Sequence, residues 1–221
     1  MKKNIFKLVG LILLLFTATI SYNQLYKTTQ FPVKKISKTI KPTEFQEGDI
    51  IFQTSNSMQS KAIQIATQSK YSHVGIIMTY DGELVVLEAV QPIKITPIKV
   101  WIRQGVGSFY SLKRLKNRGA ILTGNAIKKM RVKGKSWIGK NYDIAFDWSD
   151  KKLYCSELVW KLYKEGCEIE IGELKKLKDY DLSHPVVKQA MEQRYGKQIP
   201  WEEKMISPQA IFESNLLETV K

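Results

Sequence analysis

The stretch Leu153-Tyr154-Cys155-Ser156-Glu157-Leu158-Val159-Trp160-Lys161-Leu162-Tyr163 is where the reading of this chain begins. Tyr154, Leu158, Val159 and Leu162 recur at helical spacing and Gly166 offers a stop, so the pattern predicts a helix starting near Cys155. A cysteine in a first helical turn faces unpaired backbone N–H groups and the positive end of the helix dipole. Both favour the thiolate, which is the nucleophilic form. Read alone, the stretch fits a small buried cysteine at a helix start equally well.

A second stretch, Tyr71-Ser72-His73-Val74-Gly75-Ile76-Ile77-Met78, changes the balance. It sets a histidine at the mouth of an apolar strand, Val74 to Thr79. Asp81-Gly82 is a hairpin signal, and Leu84 to Ala89 is the returning strand. Glu88 interrupts that strand where an apolar residue is expected. An edge-strand glutamate facing solvent is one explanation. The hairpin supplies another, because it returns Glu88 to the side of His73. There a carboxylate can hold the imidazole and stabilise its charged form. Cys155 and His73, distant in sequence, then form a candidate nucleophile and base.

Around these blocks the chain has 221 residues, 43% of them hydrophobic, enough for one domain with one core. Residues 1–22 read as a signal peptide or signal-anchor: Lys2 and Lys3 precede a short apolar run from Leu8 to Ile20. The run is short for a full membrane span, and it has no clean Ala-x-Ala site. Either form predicts export across the cytoplasmic membrane. Residues 23–43, lysine-rich with Pro32 and Pro42, read as a basic linker, and residues 44–221 as the catalytic domain. The formal net charge of +14 favours anionic surfaces, such as an anionic membrane. With no arginine-rich block and no nucleic-acid motif, no nucleic-acid partner is expected.

Cys155 and Cys167 are the only cysteines. At opposite ends of one helix they lie about 18 Å apart, beyond disulfide reach. The absence of a Cys-x-x-Cys or a histidine pair argues against a zinc site, and no cofactor is expected. Gly48 to Gln53 predicts a buried strand, and Asn56-x-x-Gln59 a capping box opening a helix through Thr67. Pro92 and Pro97 bracket a loop, Phe109 to Leu115 alternates like a strand, and Ala120 to Val132 reads as an amphipathic helix. Ser183-His184-Pro185 and Ser207-Pro208 open two more helices; His184 is the other possible base, although its place before Pro185 in a polar turn favours a helix-start or loop role.

In order, Gly48-Asp49-Ile50-Ile51-Phe52, Tyr71-Ser72-His73-Val74-Gly75-Ile76, Glu88-Ala89, Gly139-x-x-Tyr142-Asp143-x-x-Phe146 and Tyr154-Cys155-Ser156-Glu157-Leu158-Val159 resemble one family. It is the YiiX-like branch of the NlpC-type papain-like cysteine hydrolases, whose topology is circularly permuted. The resemblance covers roughly residues 47–166, with a similar tail at Ser207-Pro208-x-x-Ile211-Phe212. It implies an α+β papain-like fold with a small antiparallel sheet packed against the cysteine-bearing helix. It also implies Cys155 as nucleophile, His73 as base and Glu88 as the orienting third residue. The backbone N–H of Cys155 and the phenol of Tyr142 are the oxyanion candidates, and Tyr154 and Ser72 are candidate substrate contacts. Tyr142 fits the core equally well.

Three functions are compatible with these residues, and the resemblance favours the first, with the other two as alternatives. The first is an exported cysteine hydrolase that cuts an amide, peptide bond in a cell-envelope substrate through a thioester. The second is a lipid-directed acyl hydrolase or acyltransferase on the same site. The third is a non-catalytic basic envelope-binding protein. The expected partner is thus an envelope peptide or a lipid-linked substrate. A deep apolar pocket beside the sulfur would favour the second; Trp101, Ile102, Phe109, Phe146, Trp148 and Trp160 supply apolar bulk for one, although most of them fit an ordinary core.

Overall fold

Ile50–Gln53 (β1) is a buried strand paired antiparallel with His73–Tyr80 (β2), in a register that sets Gln53 opposite His73. The computed structural model describes residues 44–55 and 58–221. The predicted leader, the linker and the Asn56 capping position lie outside them. The helix after β1, Met58–Ala66 (α1), leads into β2, and Glu83–Glu88 (β3) returns across the Asp81-Gly82 turn. Lys94–Pro97 (β4) then adds an edge strand and runs into the helix Ile98–Gln104 (α2). Ser111–Leu115 (β5) pairs with the other side of β1.

After β5 come Arg118–Ile121 (α3), Gly124–Trp137 (α4), the cysteine helix Cys155–Cys167 (α5) and a small ribbon of Lys175–Lys176 (β6) with Lys204–Met205 (β7). Pro185–Tyr195 (α6) lies between the strands of that ribbon in sequence. Pro208–Phe212 (α7) and Leu217–Thr219 (β8) follow it. The main sheet is six-stranded in the order β4-β3-β2-β1-β5-β8, with every pair antiparallel.

Both faces of this sheet are covered. Val74, Ile76 and Met78 of β2 and Leu87 of β3 pack with Leu158, Val159 and Leu162 of α5 and Met130 of α4 in one core. On the opposite face lie Ile77, Val86 and Trp101, all fully buried. Gly166 does not end α5, as its sequence context predicted. The helix runs on to Cys167 and stops at Glu168, whose φ of 59° is left-handed. Gly166 is instead a packing position, since a Cβ there would meet Met130 Cγ at 2.2 Å, so α4 and α5 approach closely only with glycine. The predicted Ala120 to Val132 helix is two helices, because Thr123 caps the second by accepting the Ala126 N–H at 3.2 Å.

The Gly48-Asp49 block is structural. The Asp49 carboxylate is fully buried and takes both Arg114 Nε and an Arg114 terminal nitrogen at 2.7 Å, which joins the entry of β1 to β5. Such a paired fork is the geometry in which a buried carboxylate is tolerated. Among the described residues no helix is long and apolar enough to cross a membrane.

Candidate active site

Cys155 is the first residue of α5, after Tyr154 in extended conformation, and is 3% exposed. Two bonds dock the start of this helix on the C-terminal segment: Ser156 Oγ donates to Ile206 O at 2.8 Å, and Ile206 N donates to Tyr154 Oη at 3.0 Å. His73 begins β2, at the end of the sheet that the α5 N-terminus reaches. One step beyond the Ile76–Leu87 pair, Gly75 stands opposite Glu88, and His73 is its neighbour on the same face. A Cβ on Gly75 would meet Val86 Cγ1 at 2.4 Å and Glu88 Cβ at 3.7 Å. Glycine therefore leaves the diagonal from Glu88 to His73 open.

Along that diagonal His73 Nε2 and Glu88 Oε2 are 2.7 Å apart. With Nε2 engaged, Nδ1 is the ring nitrogen left to face Cys155. Burial by itself would lower the imidazole pKa. The bonds from Cys155 and Glu88 and their negative charge outweigh it, and His73 is raised to about 10. Glu88 is 1% exposed, and burial opposes its charge. The bond and charge of His73, with help from Thr96, overcome this and hold the carboxyl below its ordinary value.

Glu88 is held from the far side as well. Thr96 Oγ1 donates to Oε1 at 2.6 Å and Trp101 Nε1 to Oε2 at 2.9 Å, and the Trp101 ring stacks on His73 with centroids 5.7 Å apart. Thr96 comes from β4, inside the segment that Pro92 and Pro97 marked as loop, and Trp101 from α2, just beyond it. An apolar reading of Trp101 hides its one polar atom, an indole N–H that when buried needs an acceptor.

Tyr142 is brought beside the cysteine by the chain just before α5. A parallel bridge joins Tyr142 to Leu153, and Asp143 N donates to Leu153 O at 3.1 Å. Its hydroxyl accepts from Gln59 Nε2 of α1 at 3.0 Å, so the phenol hydrogen is free to donate elsewhere. Burial, then the negative charge of Cys155, push the phenol pKa well above its ordinary value and keep it a donor. Gln59 was read only as part of a capping box. The signal for more is a polar residue on a helical stripe whose other members, Ala62, Ile63 and Ala66, are apolar.

These residues share a pocket. Cys155, Tyr142 and Gln59 stand on its wall with the apolar side of α1, Val187, Ala190 and Met191 of α6, and Phe146, Tyr154, Leu177 and Ile206. The space is open at one side, with nearly all its lining apolar. The ring of Tyr154 forms part of the wall, while its hydroxyl is taken by Ile206. Ser72 stands apart from the pocket. Its oxygen receives Ser55 N at 3.1 Å and Ser60 Oγ at 2.5 Å, tying α1 to the start of β2. Phe109, among the aromatics singled out in the sequence, is 80% exposed and contributes nothing to the pocket. His184 caps α6, its Nδ1 accepting Val186 N at 3.2 Å.

A cysteine at a helix start, a histidine at the mouth of an antiparallel strand and a carboxylate behind that histidine define a papain-like cysteine hydrolase, here with the histidine first in sequence. Residues 44–221 match the model of the permuted papain-like amidase family C92, typified by YaeF and YiiX, and the chain belongs to that family. It is 46% identical over 175 residues to the uncharacterized protein YiiX of Escherichia coli (strain K12), spanning 79% of this chain and 85% of that one. It is similar also to the crystal structure of metalloprotein YiiX from Escherichia coli O157:H7, with a TM-score of 0.76 over 80% of this chain and 97% of that one. The fold is accordingly papain-like α+β with permuted order, and the chain is an enzyme of the cysteine peptidase and amidase type. Among the described residues no group of three His, Cys, Asp or Glu side chains is placed to hold a metal ion.

Proposed function

We propose that the enzyme cleaves an amide or ester bond between an acyl chain and its head group in an envelope lipid. The observation that carries this reading is the apolar pocket that opens beside Cys155. A peptide-cutting site favours an extended groove with polar sheet-edge contacts. A lining with almost no polar surface suits methylenes, at about 0.8 kcal/mol for each one buried. Amide cleavage in general is the chemistry of the family.

In this mechanism His73 holds Cys155 as thiolate, with Glu88 fixing the ring and stabilising its charge. The sulfur attacks the carbonyl carbon, and the carbonyl oxygen becomes an oxyanion facing the Cys155 backbone N–H and the Tyr142 phenol. Collapse breaks the bond to the head group, which leaves with the His73 proton, and an acyl thioester remains. His73 then takes a proton from water, whose oxygen attacks the thioester. The fatty acid departs and the thiolate is restored. The residue 1–22 leader and the basic charge support an exported enzyme that works at an anionic membrane surface.

The test incubates the purified enzyme separately with acyl amides, phospholipids and muropeptides, follows each by mass spectrometry, and includes a Cys155→Ala control. Release of fatty acid by the wild type alone is the expected result. Turnover confined to muropeptides would return the site to peptide hydrolysis.

A further inference from the structure

On α6 the residues Val187, Ala190, Met191 and Arg194 fall at i, i+3, i+4 and i+7 on one face, and all four line the pocket. Three of them are what an apolar wall requires. The fourth is a guanidinium in a lining with almost no other polar surface. Its carbon lies 4.0 Å from the centroid of the Phe146 ring, itself a pocket residue. The Arg194 Nε atom is buried and has no hydrogen-bond partner. Arg194 is partly exposed, with its Nε atom cut off from water, and among the described residues it forms no ion pair with a carboxylate. A basic residue in the last turn of a helix complements the helix dipole. That accounts for a cation on α6, but not for one turned over the pocket with a donor unmet.

From this arrangement we infer that Arg194 is a specificity-determining residue that receives an anionic group, carboxylate or phosphate, carried by the substrate close to its scissile carbonyl. The inference rests on the acyl reading of the pocket and narrows it. Arg194 stands over Phe146, whose ring packs, with centroids 4.9 Å apart, on that of Tyr154, the residue just before Cys155, so its anion site lies on the Cys155 side of the pocket rather than at the chain's far end. An acyl chain among the α1 and α6 side chains would place its carbonyl at the sulfur. An anionic head group a few bonds further on would then meet a planar, always charged donor with an open valence. The substrate class is an acyl chain joined to an anionic head, such as an acylated amino acid or an acyl glycerol phosphate, and not a neutral acyl amide or glyceride.

Binding to the Cys155→Ala protein tests this without turnover. Dodecanoylglycine is titrated against dodecanoylglycinamide, and dodecanoyl glycerol phosphate against monododecanoyl glycerol, by calorimetry. We expect the anionic member of at least one pair to bind about 10- to 100-fold more tightly, as a charge-assisted hydrogen bond warrants. The pair that shows it distinguishes carboxylate from phosphate. Adding Arg194→Gln should remove the preference and leave the neutral probe unchanged, which also reports that the pocket is intact. If neither pair discriminates with Arg194 present, or if the preference survives Arg194→Gln, the inference is overturned. In the active enzyme Arg194→Gln should raise KM for the anionic substrate with kcat little changed. An equal fall of kcat for charged and neutral substrates would make Arg194 an oxyanion stabiliser instead. Discrimination in binding without any acyl turnover would keep the anion site and sink the acyl hydrolase.

Discussion

His73 lies between a thiol and a carboxylate, and its raised pKa is the residue-scale statement with the most consequences. The imidazole must carry its proton for the leaving group to be protonated, so the alkaline limb of kcat/KM belongs to His73 and should extend toward pH 10. Glu88→Gln should draw that limb toward the ordinary histidine value and slow turnover. A pH profile unchanged in the variant would remove Glu88 from the site. Stability follows the same sign. The folded pKa is above the unfolded one, so the contribution is complete below about pH 6.5 and is lost as pH rises toward 10. Cys167 supplies an internal standard for the thiol, because burial pushes its pKa up and no imidazole partner offsets it. Iodoacetamide at neutral pH should therefore label Cys155 much faster than Cys167, as read by peptide mass spectrometry. Equal rates would remove the case for an ion-paired nucleophile. Tyr142→Phe keeps the ring and loses the donor, which should lower kcat by about 10²- to 10³-fold with KM little changed. Gln59→Leu, which only frees the phenol to turn, should cost less on the same steady-state assay.

The elements that carry the dyad were legible because each announces itself locally. Period-3.6 spacing marked α5, and an apolar run with an Asp-Gly turn marked β2 and β3. The hairpin alone placed Glu88 by His73. What clamps Glu88 from behind was not legible. Pro92 and Pro97 read as punctuation, yet Pro97 ends an edge strand and precedes a helix, two positions where a missing N–H is harmless. The very short β6 and β7 and the β8 edge strand have too few residues for any period to appear. Register is likewise invisible without the pairing, although it gives Gly75 its meaning. Gly75→Ala pushes a methyl against Val86 Cγ1 and within 3.2 Å of Leu87 O, the second a backbone atom that cannot turn aside. Overpacking of this kind should cost about 1–3 kcal/mol in urea denaturation. It should also lower activity, because the β2–β3 diagonal is what sets the His73 to Glu88 distance. Wild-type stability in Gly75→Ala would mean that the two strands separate without cost.

At the scale of the molecule the pocket is assembled from segments far apart in the chain: α1, the 142–146 segment, the start of α5, α6 and the 205–208 turn. No window of sequence contains it, which is why aromatic counting selected the exposed Phe109 along with the pocket residue Phe146. Its walls make a quantitative demand on the substrate. Each methylene moved from water onto Ala62, Ile63, Val187 or Met191 contributes about 0.8 kcal/mol, or roughly fourfold in kcat/KM. A series of acyl amides with one head group should therefore rise by about that factor per carbon and level off once the pocket is filled. Ala190 faces the space from α6, so Ala190→Phe should move the plateau to shorter chains. The same variant should leave the iodoacetamide rate at Cys155 unchanged, since the change is in the wall and not at the sulfur. Chain-length profiles identical in Ala190→Phe and wild type would mean that the acyl chain does not lie along α6. A flat profile in the wild type would mean that the pocket takes no acyl chain at all.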